Sequence, residues 1–150
     1  MRNGLSLAAF LALMLGGGTA IGFLTLPGDW YAGLEKPTFN PPNWIFAPVW
    51  TTLYVLIAVA GWRIWVKARS SAAMLLWRAQ LALNFAWSPV FFGAHQIGAA
   101  LAIIVALFAA ILLFIANAWR HDRSAALLFA PYALWVGFAS VLNGAIFALN

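Results

Sequence analysis

The chain contains no cysteine, which excludes a disulfide framework, a thiolate nucleophile and any cysteine-ligated metal centre. Charge is scarce as well. Only 7% of the 150 residues are Asp, Glu, Lys or Arg, against about 25% in soluble globular domains. So little charge cannot wet a protein surface, and most of the exterior must face lipid. The groups needed for catalysis are equally thin. His95 and His121 fall near loops, with no carboxylate pair or second ligand at metal spacing. No serine has a histidine and an acid at plausible reach, and there is no glycine-rich phosphate loop. No charged residue sits at mid-membrane, which argues against an ion-coupled pump. No catalytic residue or metal site is assigned, and no cofactor is required.

What the chain does have is apolar length: 65% of its residues are hydrophobic. Apolar runs of about 18 or more residues are membrane-span candidates. They fall at 5–26, 44–66, 71–92, 97–119 and 124–149, with Arg78 close enough to the start of its run to snorkel. None alternates with a period of two, so a strand barrel is excluded and helices remain. The expectation is an all-α membrane protein, a single domain over 1–150 forming a five-transmembrane-helix bundle. The first run is too long for the apolar region of a signal peptide.

Five spans place Arg2, Arg63, Lys67, Arg69, Arg78, Arg120 and Arg123 on one side and only Lys36, beside Asp29 and Glu35, on the other. That asymmetry sets orientation, with the basic side cytoplasmic in an inner membrane. The net charge of +5 is therefore topogenic and does not signal nucleic acid. Small residues at fourfold spacing mark expected helix seams: Ala8, Ala12, Gly16 and Ala20, with Gly18 and Gly22 beside them; Gly98, Ala102, Ala106 and Ala110; Ser140, Gly144 and Ala148. Ala82 and Ala86 form a shorter pair that suits either the bundle or a homodimer.

Nine tryptophans need an account. An interfacial aromatic belt suits Trp30, Trp44, Trp62, Trp65, Trp77 and Trp119, which lie near span ends. It suits Trp50, Trp87 and Trp135 less well. Helix direction brings Phe46, Trp50 and Tyr54 onto one face of the outer half of the second run. Gln80, Asn84, Trp87 and Phe91 descend the third to the same level, and Trp135, Phe138, Ala139, Leu142 and Asn143 descend the fifth. Above them lies the 27–43 loop with Trp30, Tyr31, Lys36, Pro37, Phe39 and Asn40, stiffened by Pro41 and Pro42. Two readings stay open on residues alone. Either these groups wall an apolar pocket under a lid, or the amides are interhelical glue and the rings fill volume. Tyr132 reads as structural, and Pro89 and Pro131 as bends or stops.

The stretch from Trp30 to Pro37, followed by Asn40-Pro41-Pro42 and Pro48-Val49-Trp50, resembles the signature of the TspO family, the tryptophan-rich sensory proteins related to the mitochondrial translocator protein. Gln80 to Ser88 and Pro131 to Val136, with Leu142-Asn143, are similar to two further blocks, in the expected order. The resemblance implies a five-helix bundle, often a homodimer, that binds porphyrins such as protoporphyrin IX and in some members sterols. It implies a pocket beneath the first loop, with Trp50, Asn84 and Trp135 as ligand residues and Phe46, Tyr54, Phe91 and Ala139 as walls. It also implies a receptor or carrier role in tetrapyrrole regulation or transport in a bacterial cell envelope, of the inner or outer membrane. The partners implied are membrane lipid and a hydrophobic small molecule. An alternative implied by the family is light-dependent porphyrin degradation, with Trp50 and Trp135 as redox partners. The sterol-associated tyrosine-plus-basic pattern is missing, since the matching stretch reads Val141-Leu142-Asn143-Gly144.

Overall fold

A computed structural model describes residues 2–150. Among them every regular element is helical, as hydrocarbon demands of a chain that must satisfy its own backbone. Helix α1 spans Arg2–Leu24 and widens into a π segment at Ala12–Gly16. The expected lid is not a plain loop, because it contains a short helix, α2 (Gly28–Ala32). Helix α3 spans Asn43–Ala68 and opens with a single 3-10 turn directly after Pro42, whose fixed φ suits a helix entrance.

Helix α4 begins at Ala72, where Ser71 Oγ accepts from Met74 N at 3.3 Å. It runs to Ser88 and continues as a π turn over Pro89–Gly93. Proline has no N–H to return to Phe85, and the wider turn absorbs that gap, with Ala94 N bonding Pro89 O at 2.8 Å. Helix α5 spans Ile97–Ala118, and α6 spans Arg123–Leu149 with a break at Phe129 imposed by Pro131. Four helices, α1, α3, α5 and α6, are long and apolar enough to cross a membrane.

Helix α4 packs along α5, α5 packs along α6, and α1 lies against α3. The core between them is built from large apolar side chains, among them Ile57, Ile64, Met74, Ile104, Ile111, Phe114 and Phe129.

The seams differ from the fourfold stripes. Ala8, Ala12, Gly16 and Ala20 all face outward, and Met14 and Gly18 are the buried residues of α1. The reason is steric. A Cβ on Gly18 would collide with the Tyr54 ring, and one on Gly17 would sit 2.7 Å from Phe85 Cε2. Aromatic rings seek glycines and leave the alanine repeat to the outside. Ala82, Ala102 and Ala106 are likewise exposed, whereas Gly98 meets Phe147. Trp77 also departs from the interfacial reading. It is only 3% exposed, lies over Gly61, and donates from Nε1 to the Ile57 carbonyl at 3.0 Å.

Candidate functional site

The half of the bundle nearer the 27–43 loop holds a cavity of about 540 Å³. Helix α3 supplies Phe46, Trp50 and Tyr54, which succeed one another at fourfold spacing on one face. Asn84, Trp87 and Phe91 come from α4, and Trp135, Ala139, Leu142 and Asn143 from α6. Gly18 and Ile21 of α1 close one side, Ile104 and Leu107 of α5 the floor, and Tyr31 and Pro27 reach in from the lid. The rings brace one another both edge to face and by stacking. Phe46 and Trp135 lie 5.8 Å apart between centroids, and Trp87 stacks on Phe91 at 5.1 Å.

The amides act as glue at the edge of this chamber. Asn143 accepts from Trp87 Nε1 at 3.0 Å and donates to the Ile97 carbonyl at 3.1 Å, tying α4, α5 and α6 together. Asn84 donates to the Tyr132 hydroxyl at 2.6 Å, and that hydroxyl donates to Gln80 Oε1 at 2.8 Å. Tyr132 itself is fully buried. Among the described residues two buried donors are left without a protein partner, Gln80 Nε2 and Trp135 Nε1. The second belongs to a residue of the cavity wall, although the nitrogen itself is buried.

Apart from Tyr31, the remaining candidates stand outside the chamber. Phe138 does not line the chamber but packs at 5.7 Å from Trp135 and 6.1 Å from Phe39. Together with Pro41, Val49, Leu53, Leu134 and Trp135 it lines a shallow external groove between α3 and α6. Trp135 therefore belongs to both compartments. In the lid, Trp30 stacks on His95 at 4.1 Å and 8° and meets Phe91 edge-on. Tyr31 is buried, which pushes its phenol above the ordinary range against the opposing effect of a long 3.5 Å bond to Asn40. Lys36 is occupied within the lid: Nζ donates to Leu34 O at 3.2 Å and lies 4.6 Å from the Tyr31 ring centroid. Pro37 and Asn40 are half-buried and Phe39 is exposed, none of them on the chamber wall.

The profile of the TspO/MBR family matches residues 9–149. The chain belongs to the TspO/MBR family. It is 43% identical to the tryptophan-rich protein TspO of Archaeoglobus fulgidus over 99% of each chain. It is 34% identical to protein CrtK of Rhodobacter capsulatus, covering 94% of this chain and 89% of that one. It is also 42% identical to the translocator protein of Sus scrofa, over 81% and 75% of the two chains. The three sequence blocks that resemble the TspO signature sit on the lid with α3, on α4 and on α6, and each contributes to the wall of the one cavity.

A second cluster escapes the hydropathy reading of this TspO/MBR member. Asp122 is 6% exposed and binds Arg63 through Nε at 2.7 Å and Lys67 at 3.1 Å. It also caps α6, accepting from Ser124 N at 2.9 Å. Burial opposes its ionisation, but the bonds from Arg63, Lys67 and the Ala125 amide outweigh that and hold its carboxyl down to about 2. The available signal was its isolation: it is the sole acid amid seven basic residues on its side of the chain. Among the described residues no three His, Asp or Glu side chains converge as a metal set.

Proposed function

We propose that the protein is a membrane receptor or carrier that binds a porphyrin in the chamber beneath the lid and serves tetrapyrrole regulation or transport. The observation that carries this reading is the chamber itself. Its volume lies within the roughly 300–1,000 Å³ usual for small-molecule sites, and indoles from three helices wall it. A porphyrin is a flat π-system, and contact with Trp50 and Trp135 would contribute about 0.5–1.5 kcal/mol per ring beyond area burial. The same reading counts residues 71–92 as a fifth span, because Gln80 and Asn84 spend their polarity on Tyr132 inside the bundle. It places the basic end in the cytoplasm of an inner-membrane protein of a bacterial envelope. It also pairs two copies as a homodimer, for which the outward small-residue stripe of α1 gives support.

The test is a titration of detergent-solubilised protein with protoporphyrin IX in the dark, following tryptophan fluorescence, beside a Trp50→Phe/Trp135→Phe double variant. Saturable one-site quenching that weakens in the variant supports the reading. Linear quenching, equal in both proteins, means that porphyrin only partitions into the micelle and overturns it.

A second reading, light-dependent porphyrin degradation, is favoured by the oxidisable rings Trp50, Tyr54 and Trp135 on the chamber wall. With no acid–base set nearby, the chemistry would belong to the excited ligand. Products that form only in light, and vanish in Trp135→Phe while binding persists, support it. The same yield from free porphyrin in detergent eliminates it.

A further inference from the structure

We propose that a ligand reaches the chamber sideways from the bilayer, through a cleft between the second half of α1 and the first half of α3, while the lid stays shut. This rests on the reading of the chamber as a ligand site and deepens it, by naming the route and so the class of molecule: one that dissolves in lipid. Helix α1 changes partner along its length. Near its start it is tied to α3, where Trp62 Nε1 donates to Asn3 O at 2.9 Å and Phe10 meets the Trp65 ring edge-on. Beyond the π segment at Ala12–Gly16 it packs chiefly on α4. Gly17 lies against the Phe85 ring, and Thr25 Oγ1 and Ser88 Oγ share a hydrogen bond of 2.6 Å. Gly18 still meets Tyr54 of α3, but one turn on no atom of another helix lies within 4 Å of where a Cβ on Gly22 would stand.

Both edges of that gap belong to the chamber and to the outside at once. Thr19, Gly22 and Phe23 of α1 and Ala47 and Thr51 of α3 line the chamber and are exposed, Phe23 by 73%. The chamber residues of α4, α5 and α6 are all buried or half-buried. The mouth lies along two helices long and apolar enough to cross a membrane, so hydrocarbon meets it. Its edges make no demand for charge, since the Thr51 hydroxyl is spent on Ala47 O at 2.8 Å. The lid is fastened on the other side. Trp30 stacks on His95 at the turn between α4 and α5. The Asn150 carboxamide, just past the end of α6, pairs with Glu35, accepting from its backbone N at 3.1 Å and donating to its O at 2.9 Å.

The experiment sets Ala139→Cys in the chamber wall of a chain that has no thiol of its own. It times the reaction of that thiol with pyrenylmaleimide, a flat reagent dissolved in the bilayer, in ligand-free protein reconstituted in vesicles. Adding Gly22→Trp at one edge of the mouth, or Ala47→Trp at the other, should slow the reaction by about tenfold, and Asn150→Ala, which loosens the lid, should leave it within about twofold. Misfolding would bare the thiol and quicken the reaction, so it cannot imitate the expected result. Where protoporphyrin IX binds, Gly22→Trp should also slow its release to albumin, whereas mere damage to the site would hasten it. Labelling unaffected by both tryptophan variants, or quickened about tenfold by Asn150→Ala, would overturn the route. Slowed labelling without saturable porphyrin binding would uphold the route and overturn the porphyrin reading instead.

Discussion

The Arg63 guanidinium reaches across from α3 to Asp122, Nε to Oδ2 at 2.7 Å, and so joins the end of one span to the beginning of another. The bond has a pH signature. Asp122 titrates at about 2 in the folded protein against an ordinary 3.8, so its contribution is complete above pH 4 or so and drains away as pH falls toward 2. Unfolding midpoints measured across that window should drop for the parent. Asp122→Asn should start lower, by roughly 1–2 kcal/mol given the partial exposure of Arg63 and Lys67, and stay flat.

Gly61→Ala should destabilise the bundle by about 1–3 kcal/mol, the range for overpacking a filled core. The added methyl would enter the Trp77 ring, which is held by its bond to Ile57 and cannot retreat freely. Chemical denaturation in mixed micelles would measure the loss. Gly61→Ala/Trp77→Phe should recover part of it, because the smaller ring returns space.

Tyr132→Phe removes one oxygen and strands two amides, Asn84 Nδ2 and Gln80 Oε1. The expected cost is roughly 1–2 kcal/mol. Hydrogen exchange at the amides of α4 near Gln80 should quicken relative to those of α5, whose core contacts are left intact.

Gly18→Ala acts on the chamber indirectly. Its methyl would displace the Tyr54 ring, and Tyr54 is a chamber wall. Porphyrin affinity should therefore fall by about tenfold, the equivalent of 1.4 kcal/mol, with little change in the unfolding midpoint. Unchanged affinity would mean that Tyr54 moves away from the chamber.

Much of this architecture is readable from residue order alone, because lipid permits few alternatives. Four of the five expected span positions follow from apolar length, while α4 falls short of that measure, and the shared face of Phe46, Trp50 and Tyr54 follows from helical spacing. Partner choice across helices does not. Fourfold alanines look identical whether they meet a neighbour or lipid, and rings such as those of Tyr54, Phe85, Trp77 and Phe147 decide which small residues are covered. Trp77 lies near a span end like its interfacial counterparts, yet Gly61 on another helix makes room for it. Asn84 and Gln80 announce a buried polar site, but their common partner Tyr132 is 48 and 52 residues away. Asp122 is hidden by its neighbours, since hydropathy registers only a short polar break there.

Trp135 faces the chamber and also lines the external groove between α3 and α6. One indole thus serves as a party wall between a solute compartment and the bilayer. Whatever occupies the groove, an acyl tail or a detergent chain, presses on the same ring that a chamber ligand must contact. On the proposed reading, affinity would therefore be a joint property of chain and solvent. A dissociation constant measured in one detergent describes that detergent as well, and values from different membranes should differ even when the sequence does not.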